Sequence, residues 1–186
     1  MNRCGWAGND PLMVDYHDKE WGAPVHVDQT LFEFIILEGA QAGLSWKTIL
    51  NRREGYRAVF AGFDPVQVAS FSEDHIQELL TDPRIIRNKR KVQSAVQNAK
   101  AFLNVQEEHG SFDSFIWEFV DQKPIINQFK SLDEVPATTE LSTRISKALK
   151  KKGFSFVGPT IVYAYMQSIG MVNDHLQSCF RYEELI

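Results

Sequence analysis

A histidine and a cysteine stand four positions apart near the C-terminus, in the stretch NDHLQSCF at residues 173–180. Residues i and i+4 are neighbours on a helical surface, so a helix here would place His175 and Cys179 side by side as metal ligands. The chain has 2 cysteines and 5 histidines, which leaves few partners. Cys4 and His17 are the most economical ones, and the four residues form the Cys2His2 donor set of tetrahedral zinc.

The protein fills all four positions of that donor set. This predicts one structural Zn2+, because catalytic zinc keeps a position open for water. The two pairs are separated by the 157 residues between His17 and His175, so their spacing is far less specific than that of a zinc finger. The alternative is a surface histidine with two inert, buried thiols. A structural disulfide between the two cysteines is a poor candidate in a reducing compartment.

A carboxylate, Glu38, interrupts an apolar helical pattern in the stretch LEGAQAGLSW at residues 37–46. It falls on the same stripe as Leu31, Phe34 and Ile35, where the helix is otherwise buried. Burying an unpaired carboxylate costs several kcal/mol, which favours a polar partner or a functional pocket. The alternative is a carboxylate at the end of a helix that reaches solvent.

Aromatic side chains flank the candidate metal ligands and Glu38 in the sequence: Trp6, Tyr16, Trp21 and Trp46. Aromatic faces attract cations and stack on nucleic-acid bases. Most aromatic residues simply fill a protein core, and that is the alternative here. A pocket that combines Tyr16 and Trp46 with Glu38 would suit a flat, positively charged ligand.

A glycine-rich connection joins two helical patterns in SKALKKKGFSFVGPTIVY, residues 146–163. The first helix ends in three lysines, Gly153 fits the left-handed position after a helix, and the next helix begins at Pro159. This helix-hairpin-helix pattern suits DNA, since glycine lets the backbone approach phosphate and a helix start favours an anion. The alternative is a plain connection between helices, with solvated lysines.

The remaining sequence is dominated by helical periodicity. Leu31, Phe34 and Ile35 follow Asp28, which is predicted to cap their helix. Further apolar patterns predict helices near residues 46–50, 76–80, 92–103, 112–119 and 141–149, and a last long helix from Pro159 to Gly170. No segment alternates like a strand, so the predicted fold class is all-α. Residues 1–186 are predicted to form one unit or two helical lobes, with no clear linker.

The charge of the chain is unevenly distributed. The net charge is −4, yet residues 84–152 hold 13 Lys/Arg and 8 Asp/Glu, a net charge of +5. The other residues hold 7 Lys/Arg and 16 Asp/Glu, a net charge of −9. This asymmetry is compatible with a surface that binds a polyanion, although solvated basic helix faces are also common.

The N-terminal sequence MNRCGWAGNDPL has no basic region followed by an apolar run. No stretch approaches the roughly 20 apolar residues that a membrane span requires. We therefore expect a cytoplasmic protein with no membrane association and no obligate protein partner.

Several of these stretches occur together in one known family. RCGWAGNDPL, YHDKEWG, LEGAQAGLSW, GFSFVGPTIVYAYMQSIGMVNDH and the closing HLQSC resemble the bacterial family of 3-methyladenine DNA glycosylase I, in the same order, from Met1 to Cys179. The resemblance implies an α-helical glycosylase of the helix-hairpin-helix type. It also implies a zinc clip that joins the two chain ends, with Cys4, His17, His175 and Cys179 as its ligands.

The resemblance further implies the site residues and the reaction. Glu38 is the catalytic residue, and a base pocket surrounds it, formed by Tyr16, Trp46, Trp21, Met13 and Trp6. Members of the family usually have tyrosine where this chain has Met13, and glutamine is frequent where it has Ala40. The implied activity is hydrolysis of the N-glycosidic bond of 3-methyladenine in alkylated double-stranded DNA, after base flipping. No lysine of the pocket motifs is placed to form a Schiff base, so lyase activity is not expected.

Contacts to DNA are expected at two places. Leu44, at the turn after Gly43, is a candidate wedge that fills the vacated base stack, although it could equally be a hydrophobic staple for the following helix. The hairpin supplies the others: Lys152, Gly153, Phe154 and Gly158. Asp174, which adjoins His175, is expected to support the metal site. The alternative to the enzyme is a zinc-stapled DNA-binding protein that lacks catalysis, and Glu38 distinguishes the two.

Overall fold

The computed structural model describes residues 2–186, and most of them are helical. The α-helices of this stretch are α1 (Pro11–Lys19), α2 (Asp28–Gln41), α3 (Trp46–Leu50), α4 (Arg53–Val59), α5 (Pro65–Ala69), α6 (Glu73–Leu79), α7 (Lys89–His109), α8 (Phe112–Trp117), α9 (Glu140–Lys151), α10 (Pro159–Ser168) and α11 (Phe180–Glu184). Short 3-10 turns lie at Gly5–Ala7, Ala61–Phe63, Glu118–Val120 and Leu132–Glu134. The prediction of a mainly helical protein is confirmed.

Two short strands correct the all-α prediction. β1 (Ile125–Ile126) pairs in parallel with β2 (Val172–Asn173), with Ile125 opposite Val172. Each strand has two residues, which is too short to show an alternating apolar pattern in the sequence. The pairing ties the segment after α8 to the segment that leads into His175.

Helix α2 carries Glu38 in its last turns and is buried from Leu31 to Ala40. A helix that is apolar nearly all round must be covered by other elements on every side. The predicted cap of this helix is wrong. Val27 is the capping residue, and Asp28 is the first residue of the helix.

Asp28 instead caps a different helix. Its carboxylate accepts hydrogen bonds from the backbone amides of Phe112 and Asp113, at 2.9 and 2.8 Å, where α8 begins. It also accepts one from the side-chain amide of Gln106 on α7, at 2.6 Å. The first amides of a helix have no partner within that helix, and a negative charge there also complements the helix dipole. One side chain of α2 thus holds α7 and α8 in place.

One continuous cluster of buried apolar side chains extends from Met13 on α1 to Val172 on β2. Phe112 lies within it, with ring centroids 4.3 Å from Phe102 and 5.9 Å from Phe154. The core therefore joins α7, α8 and the turn between α9 and α10. Whether residues 1–186 form one unit or two lobes stays a prediction.

The turn between α9 and α10 contains the predicted left-handed glycine, since Gly153 has a φ of 96°. The side chain of Asn98 on α7 accepts from the Ser155 amide at 2.8 Å and donates to its carbonyl at 3.0 Å. Ser146 on α9 donates to the carbonyl of Val157 at 2.5 Å. Side chains from α7 and α9 therefore hold the turn in a fixed conformation.

Within residues 2–186, no helix is both long and apolar enough to cross a membrane.

Replacing Asp28 by alanine is expected to lower the free energy of unfolding by about 1–3 kcal/mol, because the first amides of α8 lose their acceptor. Urea unfolding followed by circular dichroism measures the change. Asp74→Ala is the matched control, since Asp74 is an exposed carboxylate in the first turn of α6. Equal stability of the two variants would contradict the capping role of Asp28.

Candidate active site and metal centre

A cavity of about 360 Å³ opens beside the last turns of α2. Its walls come from α1, α2, α3, α10, the N-terminal segment and the segment between β1 and α9. The lining residues are Trp6, Met13, Tyr16, Trp21, Glu38, Gln41, Ser45, Trp46, Lys47, Leu132, Val135, Ala164, Gln167, Ser168 and Asp174. The structure thus brings together all six residues that the sequence assigned to the base pocket.

Glu38 is buried, with 3% of its surface exposed, although it lines the cavity. Its Oε1 accepts a hydrogen bond of 2.5 Å from the hydroxyl of Ser168, whereas its Oε2 is buried without a partner. Burial raises the pKa of Glu38 to about 7, and the Ser168 hydrogen bond opposes that rise. The alternative of a carboxylate that reaches solvent is therefore wrong, and one oxygen of the buried carboxylate has no hydrogen-bond partner.

Aromatic rings form much of the cavity wall. The rings of Tyr16 and Trp46 are 5.2 Å apart, and those of Trp6 and Trp21 are 4.9 Å apart in an edge-to-face arrangement. Met13, 8% exposed, adds a thioether to the same surface. Flat, electron-rich faces beside a carboxylate favour a planar cation.

Sequence reasoning missed several polar residues of the cavity. Ser168 and Gln167 come from the end of α10, and Gln41 comes from the end of α2. These residues meet only because α2 and α10, which are far apart in the sequence, lie next to each other in the fold. The pattern of residue types along one segment does not show this. Leu132, in the 3-10 turn before α9, also contributes to the wall.

Asp174 lies in the cavity wall, and its carboxylate accepts three hydrogen bonds. The donors are the side chains of Asn127 at 2.6 Å, Tyr163 at 2.6 Å and Gln167 at 2.8 Å. None of these donors is a candidate metal ligand. The Asp174 carboxylate therefore makes no hydrogen bond that would support the metal site, contrary to the expectation. Asp174 instead joins α10 to the segment that follows β1.

The four candidate metal ligands lie together in the structure. Cys4, His17, His175 and Cys179 are all buried, and their ligand atoms lie within 4.8 Å of one another. Cys4 Sγ is 3.6 Å from His175 Nδ1, while Cys179 Sγ is 3.5 Å from both His17 Nε2 and His175 Nδ1. The alternative of a surface histidine is wrong, because His17 and His175 are both buried.

The three sulfur–nitrogen distances of 3.5–3.6 Å fit a tetrahedral zinc ion. Zn–S bonds of about 2.3 Å and Zn–N bonds of about 2.0–2.1 Å give sulfur–nitrogen separations of about 3.5–3.6 Å in a tetrahedron. Burial lowers the pKa of His17, and it lowers the pKa of His175 to about 4. Both rings are therefore neutral at physiological pH, which is the form that binds a metal.

The ring nitrogens that face away from the cluster have fixed partners. His17 Nδ1 is 2.8 Å from a carboxylate oxygen of Asp18, and Arg3 holds that carboxylate with bonds of 2.7–3.0 Å. His175 Nε2 is 2.9 Å from the carbonyl of Trp21. Such partners orient histidine ligands in metal sites. Asp18, one position after His17, could have been found from its sequence position.

The helix expected to join His175 and Cys179 is absent from the described residues. The chain turns at residues 174–179, and α11 begins only at Phe180. The amide of His175 donates to the Asn173 side chain, and the amide of Leu176 donates to Cys4 Sγ at 3.4 Å. These side-chain contacts replace helical hydrogen bonds, so a turn brings the two residues together.

Gly43 and Leu44 form an exposed turn beside the cavity. Gly43 has a φ of 78°, and 40% of the Leu44 surface is exposed. The ammonium group of Lys91 on α7 donates to the carbonyls of Ala40 and Ala42, at 2.7 Å each. A cation at the C-terminal end of a helix is favourable, and here it fixes the start of the turn.

The hairpin residues differ in what they present to solvent. Gly153 is exposed and Gly158 is half-buried, while Lys152 forms an ion pair with Glu108. Phe154 was expected to contact DNA, but its side chain is 4% exposed and packs in the core. The buried ring cannot reach a ligand outside the turn, so a DNA contact of the Phe154 side chain is ruled out, while a contact through its backbone stays a prediction.

A family model described as methyladenine glycosylase matches residues 6–182, which is nearly the whole described chain. The chain belongs to this family. It is 49% identical over 182 residues to the DNA-3-methyladenine glycosylase 1 of Escherichia coli K12, covering 98% of this chain and 97% of that protein. It is also 49% identical over 177 residues to the DNA-3-methyladenine glycosylase of Haemophilus influenzae, covering 95% and 96%.

Solved structures of this methyladenine glycosylase family have the same fold. A crystal structure of a 3-methyladenine DNA glycosylase I matches with a TM-score of 0.94 and 49% identity, covering 96% of this chain and 98% of that one. The Staphylococcus aureus enzyme, solved to study 3-methyladenine recognition, matches with a TM-score of 0.94 and 35% identity over 97% and 96%. A variant in complex with 3-methyladenine matches equally well at 34% identity over 97% of each chain.

Glu38→Gln is expected to stabilise the protein at alkaline pH. Because the folded pKa of about 7 exceeds the ordinary value of 4.5, this carboxyl stabilises the fold at low pH, and the contribution is lost as the pH rises through 7. The variant removes that penalty, raising the free energy of unfolding by up to about 3 kcal/mol at pH 8 and little at pH 5.

Urea unfolding at both pH values measures the difference between variant and wild type. Glu107→Gln, which neutralises an exposed carboxylate on α7, is the control and should show little change at either pH. A Glu38→Gln effect that is equal at pH 5 and pH 8 would contradict the raised pKa.

Proposed function

We propose that this protein hydrolyses the N-glycosidic bond of 3-methyladenine in alkylated double-stranded DNA and releases the free base. One observation carries the proposal. Glu38 is buried in an aromatic cavity with one carboxylate oxygen unpartnered. The relatives of this chain in Escherichia coli and Haemophilus influenzae are named as DNA-3-methyladenine glycosylases.

The charge of the substrate explains why such a cavity is selective. Methylation at N3 leaves the adenine of the nucleotide positively charged, so it is already a good leaving group and needs little help from a general acid. The faces of Tyr16 and Trp46 attract the cation, and Glu38 Oε2 accepts a hydrogen bond from the base. Neutral adenine gains less from both interactions, and its bond to the sugar is stronger. Selection therefore rests on binding.

The base must leave the duplex to reach Glu38. Flipping a nucleotide costs a few kcal/mol, and less for a damaged base. The cavity volume of about 360 Å³ has room for one planar purine between its aromatic walls. Water then adds to the sugar carbon as the base departs, and it gives up one proton to the solvent to leave a sugar hydroxyl. The electron pair of the broken bond stays on the base, which leaves as neutral 3-methyladenine.

The reaction requires no covalent intermediate with the enzyme. Lys47 lines the cavity, but its ammonium group pairs with a carboxylate oxygen of Asp10 at 2.7 Å. An ion-paired lysine is a poor nucleophile, so the enzyme is monofunctional and lacks lyase activity.

DNA lies across the face that carries the Leu44 turn and the α9–α10 hairpin. Leu44 fills the gap left by the flipped base, and the backbone at Gly153 and Gly158 approaches phosphate oxygens near the start of α10. The α9–α10 pair acts as a helix-hairpin-helix motif. Arg90, at the start of α7, lies 5.9 Å over the ring of Phe156 and adds positive charge beside the hairpin.

The cluster of Cys4, His17, His175 and Cys179 binds one structural Zn2+. When bound, zinc supplies four bonds that join the N-terminal segment to the segment after β2, and it takes no part in the chemistry. The chain itself places Tyr16 next to ligand His17. The metal site therefore supports one wall of the base pocket through a neighbouring residue.

Wild-type protein is expected to release 3-methyladenine from methylated double-stranded DNA, measured by chromatography of the free bases. Glu38→Gln keeps the shape of the side chain but removes its negative charge, so kcat/KM should fall roughly 10- to 100-fold. Glu107→Gln should match wild type. Binding to DNA with no base release by wild type would contradict the enzyme and leave a non-catalytic DNA-binding protein.

Purified protein is expected to contain one zinc ion per chain by elemental analysis. Cys179→Ser should lose most of the metal and lower the melting temperature, because one of four ligands is removed. Ser178→Ala is the matched control, since Ser178 is an exposed neighbour of Cys179. A metal content well below one ion per chain, or equal melting temperatures of the two variants, would refute a structural zinc site.

A further inference from the structure

Ser168 is the residue through which α10 reaches the carboxylate of Glu38. It ends α10 and is 2% exposed, at a position where serine has no advantage as a helix former. Its hydroxyl donates to Glu38 Oε1 at 2.5 Å and accepts from the hydroxyl of Tyr16 at 3.1 Å. One hydroxyl thus connects the two groups expected to contact the base.

The directions of these hydrogen bonds follow from the donors and acceptors present. The hydroxyl of Tyr16 is the donor in its hydrogen bond to Ser168 Oγ. The single proton of Ser168 is then directed to Glu38. A hydrogen bond from a hydroxyl stabilises an ionised carboxylate more than a neutral one. Ser168 therefore favours the charged form of Glu38 and holds its rotamer, which leaves Oε2 free.

We infer that Ser168 is a positioning residue that keeps Glu38 ionised and aimed at the base, and so sets the lowest pH at which the enzyme binds a cationic base well. This inference rests on the proposed function and assigns a role to a residue outside the predicted base pocket.

Other charged or titratable groups near Glu38 cannot take over this role. Tyr165 on α10 is buried and keeps its proton because burial raises its pKa, and its hydroxyl donates to the carbonyl of Leu31. Lys47 is paired with Asp10, and Asp174 is held by three donors of its own. Of the described residues, Ser168 alone donates a hydrogen bond to the Glu38 carboxylate.

Ser168→Ala tests the inference in two measurements. The first is a carbon NMR titration of glutamate carboxyl groups, in which the Glu38 signal is identified by its absence in Glu38→Gln. The midpoint for wild type is expected near pH 7. In Ser168→Ala it should rise by roughly one pH unit, because a hydrogen bond to the charged form is lost.

The second measurement is kcat/KM for base release as a function of pH. If the midpoint of Glu38 rises by one pH unit, kcat/KM of Ser168→Ala should be lower than that of wild type by about 8-fold at pH 6.5. At pH 9 the difference should be less than about 2-fold. Ser168→Thr, which keeps a hydroxyl, should restore most of the activity at pH 6.5. Ser94→Ala is the matched control, since Ser94 is a buried serine of α7 whose hydroxyl donates to the Lys91 carbonyl.

An unchanged Glu38 midpoint in Ser168→Ala would overturn the inference. So would a loss of activity that is equal at every pH, because that result indicates a packing defect only. The NMR titration needs no substrate. If wild type releases no base, the proposed function fails while the titration still tests the role of Ser168.

Discussion

The burial of one half-satisfied carboxylate is the constraint on which the site depends. Glu38 could not lie in the protein interior unless something offset its lost hydration. Ser168 provides one hydrogen bond, and the second oxygen has no hydrogen-bond partner. This burial destabilises the free protein locally, and in the proposed function the cation of the damaged base offsets that destabilisation. Affinity and selectivity for a cationic base have the same origin.

The surrounding helices show how that carboxylate is held. α2 is buried from Leu31 to Ala40. Asp28 at its start fixes α7 and α8, while Lys91 on α7 fixes its end. The same helix α7 supports the hairpin through Asn98. The base pocket and the surface expected to meet the DNA backbone thus share one rigid support. In the proposed function, this shared support keeps the pocket for the flipped base and the surface for its flanking phosphates at a fixed distance from each other.

The sequence was most informative where a residue type was unusual for its surroundings. A carboxylate on an apolar stripe predicted the buried Glu38, and two widely separated Cys/His pairs predicted one cluster. Local patterns misassigned Asp28, whose partners lie more than 75 residues away in α7 and α8. The helix expected at His175 failed for a similar reason, because Cys4 and Asn173 supply contacts that no local pattern contains. Ser168 and Phe154 depended on how helices pack, so their places became clear only in the folded protein.

The cluster formed by Cys4, His17, His175 and Cys179 brings the first and last parts of the chain together. A metal ion held there would close a ring of more than 170 residues, as a disulfide between the same two cysteines would. Loop-closure entropy for a ring of that length is worth about 5 kcal/mol in the chain-entropy model. Reducing agents do not cleave such a cross-link, but a chelator or a stronger metal-binding protein does. The durability of this fold in a cell would then depend on the supply of metal.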